Sequence, residues 1–368
     1  MNFSQLANPR ILDQPIYQPG KPIEQVAQEY NLDSSNICKL ASNENPWGAS
    51  PKAIDAGKKS LDQIHLYPEG SGLDLRSKIA NLHQLDPEQI ILGNGSNEII
   101  ELLAHVFLDA RDEVIVGEHA FVVYKLVTTL MGAQPVVVPM PELIHDLSKM
   151  RDAVTEKTKI VFLPSPNNPT GTANSSSEII NFVNSLPDHV IFCLDEAYAE
   201  YLLNPTDLRS LIRSGKKILA MRTFSKIYGL AGLRIGYGYG NAKLIHLLQK
   251  ARQPFNVNSV AQTTAIAALE DQNWVIECKE KNFAGLQQLE NGFQKLRLKF
   301  IPSKANFLLV DVNDGLKVFK LLEKLGVITR PMPQSLNKYL RISVGTIEEN
   351  RKVLDALEKV LNELDSKS

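Results

Sequence analysis

The sequence predicts an α/β fold in which helices cover both faces of a mostly parallel sheet. Between about residue 75 and residue 260, strand-like apolar runs alternate with amphipathic helical stretches; the runs are IILG, EVIVG, PVVVP, KIVFLP, VIFCLD and KILAM. Such alternation is typical of strands joined by crossover helices. Several runs end in polar residues, and open α/β sheets bind ligands at the carboxyl ends of their strands. We therefore expect a ligand-binding site at the carboxyl ends of these strands.

The two ends of the chain differ from this central region. The first 35 or so residues contain four prolines and are predicted to form an arm. From about residue 272, a long polar helix precedes three strand runs (KFIPSKANFLLVDV, GVITRPM and YLRISVG) and a final helix. We predict an N-terminal arm over 1–37, a large domain over 38–265 and a smaller α+β domain over 266–368.

Length, composition and charge limit the kinds of partner that we expect for this protein. The 368 residues are enough for two domains, and the net charge of −1 gives no reason to expect nucleic acid or an anionic membrane as a partner. The start lacks the basic and apolar parts of a signal peptide, and no apolar run approaches the roughly 20 residues of a spanning helix. We expect a cytoplasmic protein. Its three cysteines and seven histidines show no ligand spacing, so we expect no metal site.

The segment IILGNGSNE, residues 90–98, predicts a strand, a glycine-containing turn and a helix opened by Ser96 and Asn97. A helix N-terminus binds phosphate through its free backbone N–H groups and its dipole. The segment lacks the third glycine of the dinucleotide fingerprint, so a nicotinamide cofactor is weakly supported.

Two further strand runs end in candidate polar residues. In KIVFLPSPNNPTGT, Asn168 precedes Pro169 and is biased towards an extended conformation, although Asn-Pro with a nearby glycine is usually a plain turn. In VIFCLDEAY, Asp195 ends the run. It is either a helix N-cap or a charge directed into a cleft, and this segment alone favours the cap.

The segment TFSKIYGLAGLR, residues 223–234, follows the apolar run KKILAMR and predicts a tight turn that carries Lys226. Gly229 and Gly232 allow the backbone to pass close to a ligand, and Arg234 follows. Lysine forms Schiff bases with carbonyl compounds such as pyridoxal phosphate, and arginine suits phosphate. Taken alone, such a segment is most often an ordinary turn.

Together these segments resemble the fold-type I pyridoxal-phosphate enzymes and, within them, the histidinol-phosphate aminotransferase family. Seven segments carry the resemblance in the family's order along nearly the whole chain: LASNENPWG, YPEG, GNGSNEII, SPNNPTGT, DEAY, FSKIYGLAGLRIGY and YLRISVGT. The resemblance implies a large domain with a mostly parallel sheet, a smaller α+β C-terminal domain and pyridoxal 5'-phosphate as cofactor. It also implies that the arm packs on the C-terminal block, with the active site at their border with the large domain.

The resemblance assigns roles to the residues of these segments. Lys226 would hold the cofactor and move protons, Asp195 would keep the ring nitrogen protonated, and Tyr198 would hold the ring oxygen O3′. The remaining cofactor-binding residues would be Asn168 at O3′, Phe121 stacked on the ring, and Ser96, Asn97, Ser225 and Arg234 at the phosphate.

The resemblance also implies a homodimer and a substrate pocket. Tyr67 of YPEG matches a tyrosine that reaches the phosphate in the neighbouring subunit, so the active sites would be shared. Arg341 matches the family's substrate arginine and Arg330 a second one. Tyr17 and Asn43 are weaker candidates for contacts with the substrate.

The implied reaction transfers the amino group of L-histidinol phosphate to 2-oxoglutarate, giving imidazole acetol phosphate and glutamate in histidine biosynthesis. Departures from the family pattern lie near the pocket: PMPQSLNKYL lacks a glycine-rich pair, and GEHAF lacks a proline common in relatives. HAFVVYKL is similar to relatives that accept aromatic amino acids. An aminotransferase of phenylalanine or tyrosine is therefore the alternative, a pyridoxal-phosphate-dependent decarboxylase of a phosphorylated amino acid is less favoured, and a cofactor-binding regulatory module is disfavoured.

Overall fold

The computed structural model describes residues 3–12, 14–16 and 20–366. Tyr17, which the sequence suggests as a substrate contact, lies outside the described residues.

The described residues form thirteen strands, numbered in chain order. They are Cys38–Lys39 (β1), Ile90–Gly93 (β2), Glu113–Gly117 (β3), Gln134–Val138 (β4), Thr158–Pro164 (β5), Ile191–Asp195 (β6), Ile218–Thr223 (β7), Gly236–Gly240 (β8), Phe300–Ile301 (β9), Phe307–Asp311 (β10), Val327–Ile328 (β11), Arg330–Pro331 (β12) and Tyr339–Ser343 (β13).

Fourteen α-helices lie within the same described ranges. They are Pro9–Leu12 (α1), Ile23–Tyr30 (α2), Pro51–Ser60 (α3), Leu73–His83 (α4), Ser96–Phe107 (α5), Val123–Met131 (α6), Leu147–Asp152 (α7), Ser176–Ser185 (α8), Arg209–Arg213 (α9), Ala242–Ala251 (α10), Ser259–Glu270 (α11), Gln272–Lys295 (α12), Gly315–Lys324 (α13) and Ile347–Asp365 (α14).

Seven strands form the main sheet in the order β2-β8-β7-β6-β5-β3-β4. Strands β3 to β7 run parallel to one another, whereas β8 is antiparallel to both β2 and β7. Strands β2 and β6 are buried along their whole length, and two apolar clusters cover opposite faces of the sheet. This arrangement confirms the predicted α/β class and its mostly parallel sheet.

Strand β8 has no counterpart among the predicted strands. Its sequence, GYGYG, alternates glycine with tyrosine and lacks the β-branched residues that mark a strand. The glycines are needed because the backbone is crowded there. A Cβ on Gly240 would collide with the carbonyl of Ile218, and one on Gly236 would lie 2.5 Å from the backbone nitrogen of Ser96.

A second, antiparallel sheet has the order β12-β13-β10-β9, and a third apolar cluster packs it against α12, α13 and α14. Two predicted strand runs are each divided in two: KFIPSKANFLLVDV gives β9 and β10, and GVITRPM gives β11 and β12. The division at 37/38 and at 265/266 stays a prediction.

The N-terminal segment contacts both parts of the molecule. Strand β1 pairs with β11 in parallel, and Lys21 bridges α2 to the buried Glu323 of α13 over 3.1 Å. Before that, Arg10 donates to the carbonyl of Met131 and Gln14 to that of Leu126, which fastens the start of the chain to α6.

Among the residues that the structure describes, no helix combines the length and the apolar character needed to cross a bilayer.

Candidate active site

Lys226 lies in the loop that follows β7, and local hydrogen bonds shape this loop. The backbone N–H of Ser225 donates to Oγ1 of Thr223 over 3.1 Å, and Gly229, at φ +70°, donates its N–H to the carbonyl of Lys226. The ammonium Nζ of Lys226 donates to the carbonyl oxygen of Ser42 over 3.1 Å. The lysine is therefore directed away from its own loop and towards the segment 41–43.

The charge state of Lys226 is shifted by its surroundings. Burial first, and the guanidinium of Arg341 second, lower the pKa of Lys226 from 10.5 to about 8. Its amine is then uncharged in an appreciable fraction of molecules near neutral pH. A neutral amine is the form that attacks a carbonyl group and accepts protons.

Asp195 ends β6 and is only 6% exposed. The hydroxyl of Tyr124 donates to Oδ2 over 2.6 Å, and the backbone N–H of Ala197 donates to Oδ1 over 3.0 Å. Burial raises the pKa of this carboxyl, and these two hydrogen bonds oppose the rise. Asp195 does not cap a helix, because residues 197 and 198 form a turn and the short 3-10 helix Ala199–Tyr201 that follows has Tyr198 at its N-cap.

Tyr198 follows in that turn and packs beside Lys226, with Nζ 5.7 Å from the centre of its ring. Nδ2 of Asn43 donates to the Tyr198 hydroxyl over 2.9 Å. Oδ1 of Asn43 accepts a hydrogen bond of 2.9 Å from the hydroxyl of Ser343 on β13. The structure thus brings together three residues that the sequence proposed separately: Lys226, Tyr198 and Asn43.

A cradle of polar groups surrounds the start of α5. Arg234 has a left-handed backbone (φ +54°), and its NH1 donates to the hydroxyl of Ser225 over 3.3 Å. A Cβ on Gly95 would lie 2.5 Å from NH2 of Arg234. Helix α5 begins at Ser96, so Asn97 lies in its first turn. A guanidinium, a hydroxyl and a helix N-terminus at one place fit a phosphate group.

Asn168 and Arg341 link the loop that follows β5 to strand β13. NH1 of Arg341 donates to Oδ1 of Asn168 over 2.5 Å, and NH2 donates to the carbonyl of Ala41 over 2.6 Å. The guanidinium also lies over the ring of Phe307, 5.4 Å from its centre. Oδ1 of Asn168 accepts a hydrogen bond from Arg341. The Nδ2 group of Asn168 is therefore the donor that can face a ligand.

Arg330 and Arg341 are direct cross-strand partners in the pairing of β12 with β13. Side chains paired in this way lie on the same face of the sheet, and like charges directly opposite each other are destabilising. The pairing therefore places both arginine side chains on one face of the antiparallel sheet.

The two aromatic candidates have different surroundings: Phe121 packs beside Tyr124, and Tyr67 packs on Phe255. The ring of Phe121 meets that of Tyr124 edge-on at 5.8 Å between centres, which connects it to Asp195. Tyr67 is 82% exposed, and its ring stacks on Phe255 at 4.8 Å.

Sequence reasoning missed Tyr124 and Ser343, although both lie in segments that carry the resemblance or its departures. Tyr124 follows Phe121 by three residues and lies in the first turn of α6, and its backbone N–H donates to the carbonyl of Phe121. Ser343 follows Arg341 by two residues on β13, so both face the same side of the sheet. In both cases the short distance in sequence from a proposed site residue could have identified the missed residue.

Comparison with known proteins shows which family the chain belongs to. Residues 35–357 match the family described as aminotransferase class I and II. The chain is 44% identical over 364 residues to histidinol-phosphate aminotransferase 2 of Pseudomonas fluorescens, covering 98% of both chains. It is 43% identical to histidinol-phosphate aminotransferase of Akkermansia muciniphila, covering 98% of this chain and 100% of that one.

Solved structures give the same answer for the fold. Histidinol-phosphate aminotransferase from Sinorhizobium meliloti, solved in complex with pyridoxal-5'-phosphate, superposes with a TM-score of 0.89 at 26% identity, covering 97% of this chain and 98% of that one. An aspartate aminotransferase of Thermus thermophilus, at 23% identity and a TM-score of 0.81, shares the fold. The chain belongs to the histidinol-phosphate aminotransferase family, within the aminotransferases of classes I and II.

Proposed function

We propose that this protein uses pyridoxal 5'-phosphate to transfer the amino group of L-histidinol phosphate to 2-oxoglutarate, giving imidazole acetol phosphate and glutamate. The observation that carries the choice of donor is the cross-strand pair of Arg330 and Arg341. A phosphate ester brings a charge between about −1.5 and −2 at pH 7, which offsets two guanidinium groups. The single carboxylate of phenylalanine or tyrosine offsets one.

The residues present fit the cofactor, judged by the cradle at Gly95. Arg234, Ser225 and the N-terminus of α5, with Ser96 and Asn97, would hold its phosphate, and Gly95 leaves space that a side chain would fill. When bound, pyridoxal phosphate supplies an aldehyde for amines and a ring that takes up negative charge.

The protein groups would then act around that ring. Lys226, with its lowered pKa, would hold the aldehyde and later carry the proton between carbon atoms. Asp195 would keep the ring nitrogen protonated, and that positive charge would in turn favour the ionised carboxylate. Tyr198 and Nδ2 of Asn168 would hydrogen-bond the ring oxygen, and Phe121 would cover the ring face.

The same proposal includes a homodimer with shared active sites. The exposed ring of Tyr67, held by its stacking on Phe255, supports a reach towards the phosphate of a neighbouring subunit. Tyr67→Phe should weaken cofactor binding, and an unchanged dissociation constant would contradict this part of the proposal. A cytoplasmic location and a role in histidine biosynthesis stay predictions from the sequence.

The donor is tested in the half-reaction. The cofactor-loaded protein is mixed, without any keto acid, with L-histidinol phosphate, phenylalanine or tyrosine, and absorbance follows conversion of the cofactor to its amine form. Fast conversion by histidinol phosphate alone is the expected result. Preference for phenylalanine or tyrosine would make the protein an aromatic aminotransferase, and release of carbon dioxide from a phosphorylated amino acid would identify a decarboxylase.

A further inference from the structure

Asn43 occupies a buried position between two hydroxyl groups from different parts of the fold. Its side chain donates from Nδ2 to the Tyr198 hydroxyl and accepts at Oδ1 from the Ser343 hydroxyl, each over 2.9 Å. Its backbone N–H donates to the same Ser343 oxygen, also over 2.9 Å. With 1% exposure, Asn43 has little access to water that could replace these partners.

The direction of these hydrogen bonds follows from the inventory of donors. A serine hydroxyl has one proton, and Ser343 gives it to Oδ1 while its oxygen accepts the backbone N–H of Asn43. In this arrangement Oδ1 of the carboxamide lies on the serine side and Nδ2 lies on the tyrosine side. The oxygen of Tyr198 accepts from Asn43, so the proton of Tyr198 is not used towards Asn43.

The backbone around Asn43 is held firmly enough to keep that orientation. Asn43 lies in the left-handed region at φ +55°, which asparagine tolerates better than most residues. Its carbonyl accepts from Nδ2 of Asn306 over 3.0 Å, and the N–H of Ser343 donates to the carbonyl of Leu40 over 2.9 Å. The segment is thus fastened to β13 through Ser343 and, through Asn306, to the residue that precedes β10.

We propose that Ser343 is a positioning residue that acts through Asn43 to direct the Tyr198 hydroxyl as a donor to the ring oxygen of the bound cofactor. This rests on the proposed function only in requiring pyridoxal phosphate on Lys226. A hydrogen bond donated to the ring oxygen favours its negative form, and hence the unprotonated form of the nitrogen that links Lys226 to the cofactor. Loss of the Ser343 hydroxyl then raises the pH at which that nitrogen titrates.

The test is a pH titration of the visible absorption band of the cofactor-loaded protein without substrate. Ser343→Ala should move the midpoint upward by roughly 0.5 pH units. Ser343→Thr, which keeps a hydroxyl, should restore the wild-type midpoint. Thr329→Val is the matched control, because the buried Thr329 hydroxyl has no hydrogen-bond partner within the described ranges.

A second pair of variants separates positioning from a general structural effect. In a Tyr198→Phe background, Ser343→Ala should cause no further shift, because the hydroxyl through which it acts is gone. An equal shift in both backgrounds, or a wild-type midpoint for Ser343→Ala, would overturn the proposal. If Ser343→Ala fails to fold, Ser343→Cys makes the same comparison with a weak S–H donor.

The titration uses no amino donor, so its result is independent of the donor identified in the half-reaction. A protein that transaminates phenylalanine and shows the shift would retain the role of Ser343 while contradicting the proposed substrate. A protein that transaminates histidinol phosphate but shows no shift would support the proposed substrate and contradict the role of Ser343.

Discussion

Tyr124 of α6 donates a hydrogen bond to Asp195 at the end of β6, with 2.6 Å between its hydroxyl oxygen and Oδ2. The tyrosine is fully buried, and its ring stacks on Phe162 at 4.6 Å. Asp195 is therefore held by one α6 side chain and by the N–H of Ala197, both of which favour its ionised form.

Tyr124→Phe keeps the stacked ring and removes this donor. Burial already raises the pKa of Asp195, and loss of the hydrogen bond should raise it further. We expect kcat/KM to fall by about 10- to 100-fold, and the acid limb of its pH profile to move to higher pH. A pH–rate profile measures both effects. An unchanged acid limb would show that the hydroxyl does not tune Asp195.

Lys226 should make the stability of the cofactor-free protein depend on pH. Its pKa is lowered to about 8 by burial and by Arg341, so between pH 8 and 10.5 the unfolded chain binds more protons at this residue than the folded chain does. The contribution of Lys226 to stability therefore rises with pH across that window. Below pH 8 its charge destabilises the fold in full.

Lys226→Met should consequently stabilise the cofactor-free protein at pH 7, by up to about 3 kcal/mol, with the advantage shrinking towards pH 10.5. Urea denaturation of both proteins at several pH values measures the difference. Lys59→Met is the control, because Lys59 is exposed and forms an ion pair with the exposed Asp55. Equal stability of Lys226→Met and wild type at pH 7 would contradict the lowered pKa.

Gly95→Ala should weaken the binding of pyridoxal phosphate. The new Cβ would lie 2.5 Å from NH2 of Arg234, so the guanidinium would have to shift from its position in the cradle. Loss of one charge-assisted contact corresponds to about a 10- to 100-fold higher dissociation constant. Binding of pyridoxal without its phosphate should change little, since the cradle holds only that group.

Gly215→Ala is the matched control for the glycine. Gly215 also has a positive φ, +92°, but a Cβ there would meet nothing within 4 Å. Both variants bear the strain of an alanine at positive φ, and only Gly95→Ala crowds Arg234. Equal affinities of the two variants for pyridoxal phosphate, measured by fluorescence titration, would contradict the proposal that the groups around Gly95 hold the phosphate.

Arg222→Met should strongly destabilise the large sheet. Arg222 on β7 contacts Glu196 over 3.1 Å and Glu200 over 3.3 Å, and both carboxylates are nearly buried. Removing the arginine leaves them without this compensating charge, which costs about 3–5 kcal/mol in comparable sites. Denaturant unfolding measures the loss, with exposed Arg111→Met as the control. A loss below about 1 kcal/mol for Arg222→Met would contradict the role of this cluster.

The sequence was sufficient to predict the parallel strands, because each is a short apolar run ended by turn residues. It was insufficient for β8, where crowding by Ile218 and Ser96 selects glycine and removes the strand signal. Family membership was predicted from seven segments in order and is confirmed by relatives at 43% and 44% identity.

Contacts across the fold explain why parts of the site could not be predicted. The facing of Arg330 and Arg341 depends on strand register, which tertiary packing sets. The bond between Asn43 and Ser343 joins residues 300 positions apart, and no local pattern encodes it. The roles assigned to individual residues by resemblance remain predictions until variants are measured.

The most direct measurement compares kcat/KM for L-histidinol phosphate with that for histidinol, in wild type and in Arg330→Gln. The paired arginines predict a strong wild-type preference for the phosphorylated donor. Arg330→Gln should lower that preference by about 10- to 100-fold, almost entirely through the phosphorylated substrate. Arg351→Gln, on the exposed side of α14, should leave it unchanged. A wild-type enzyme that uses both donors equally would contradict the proposal that Arg330 and Arg341 bind the phosphate of the substrate.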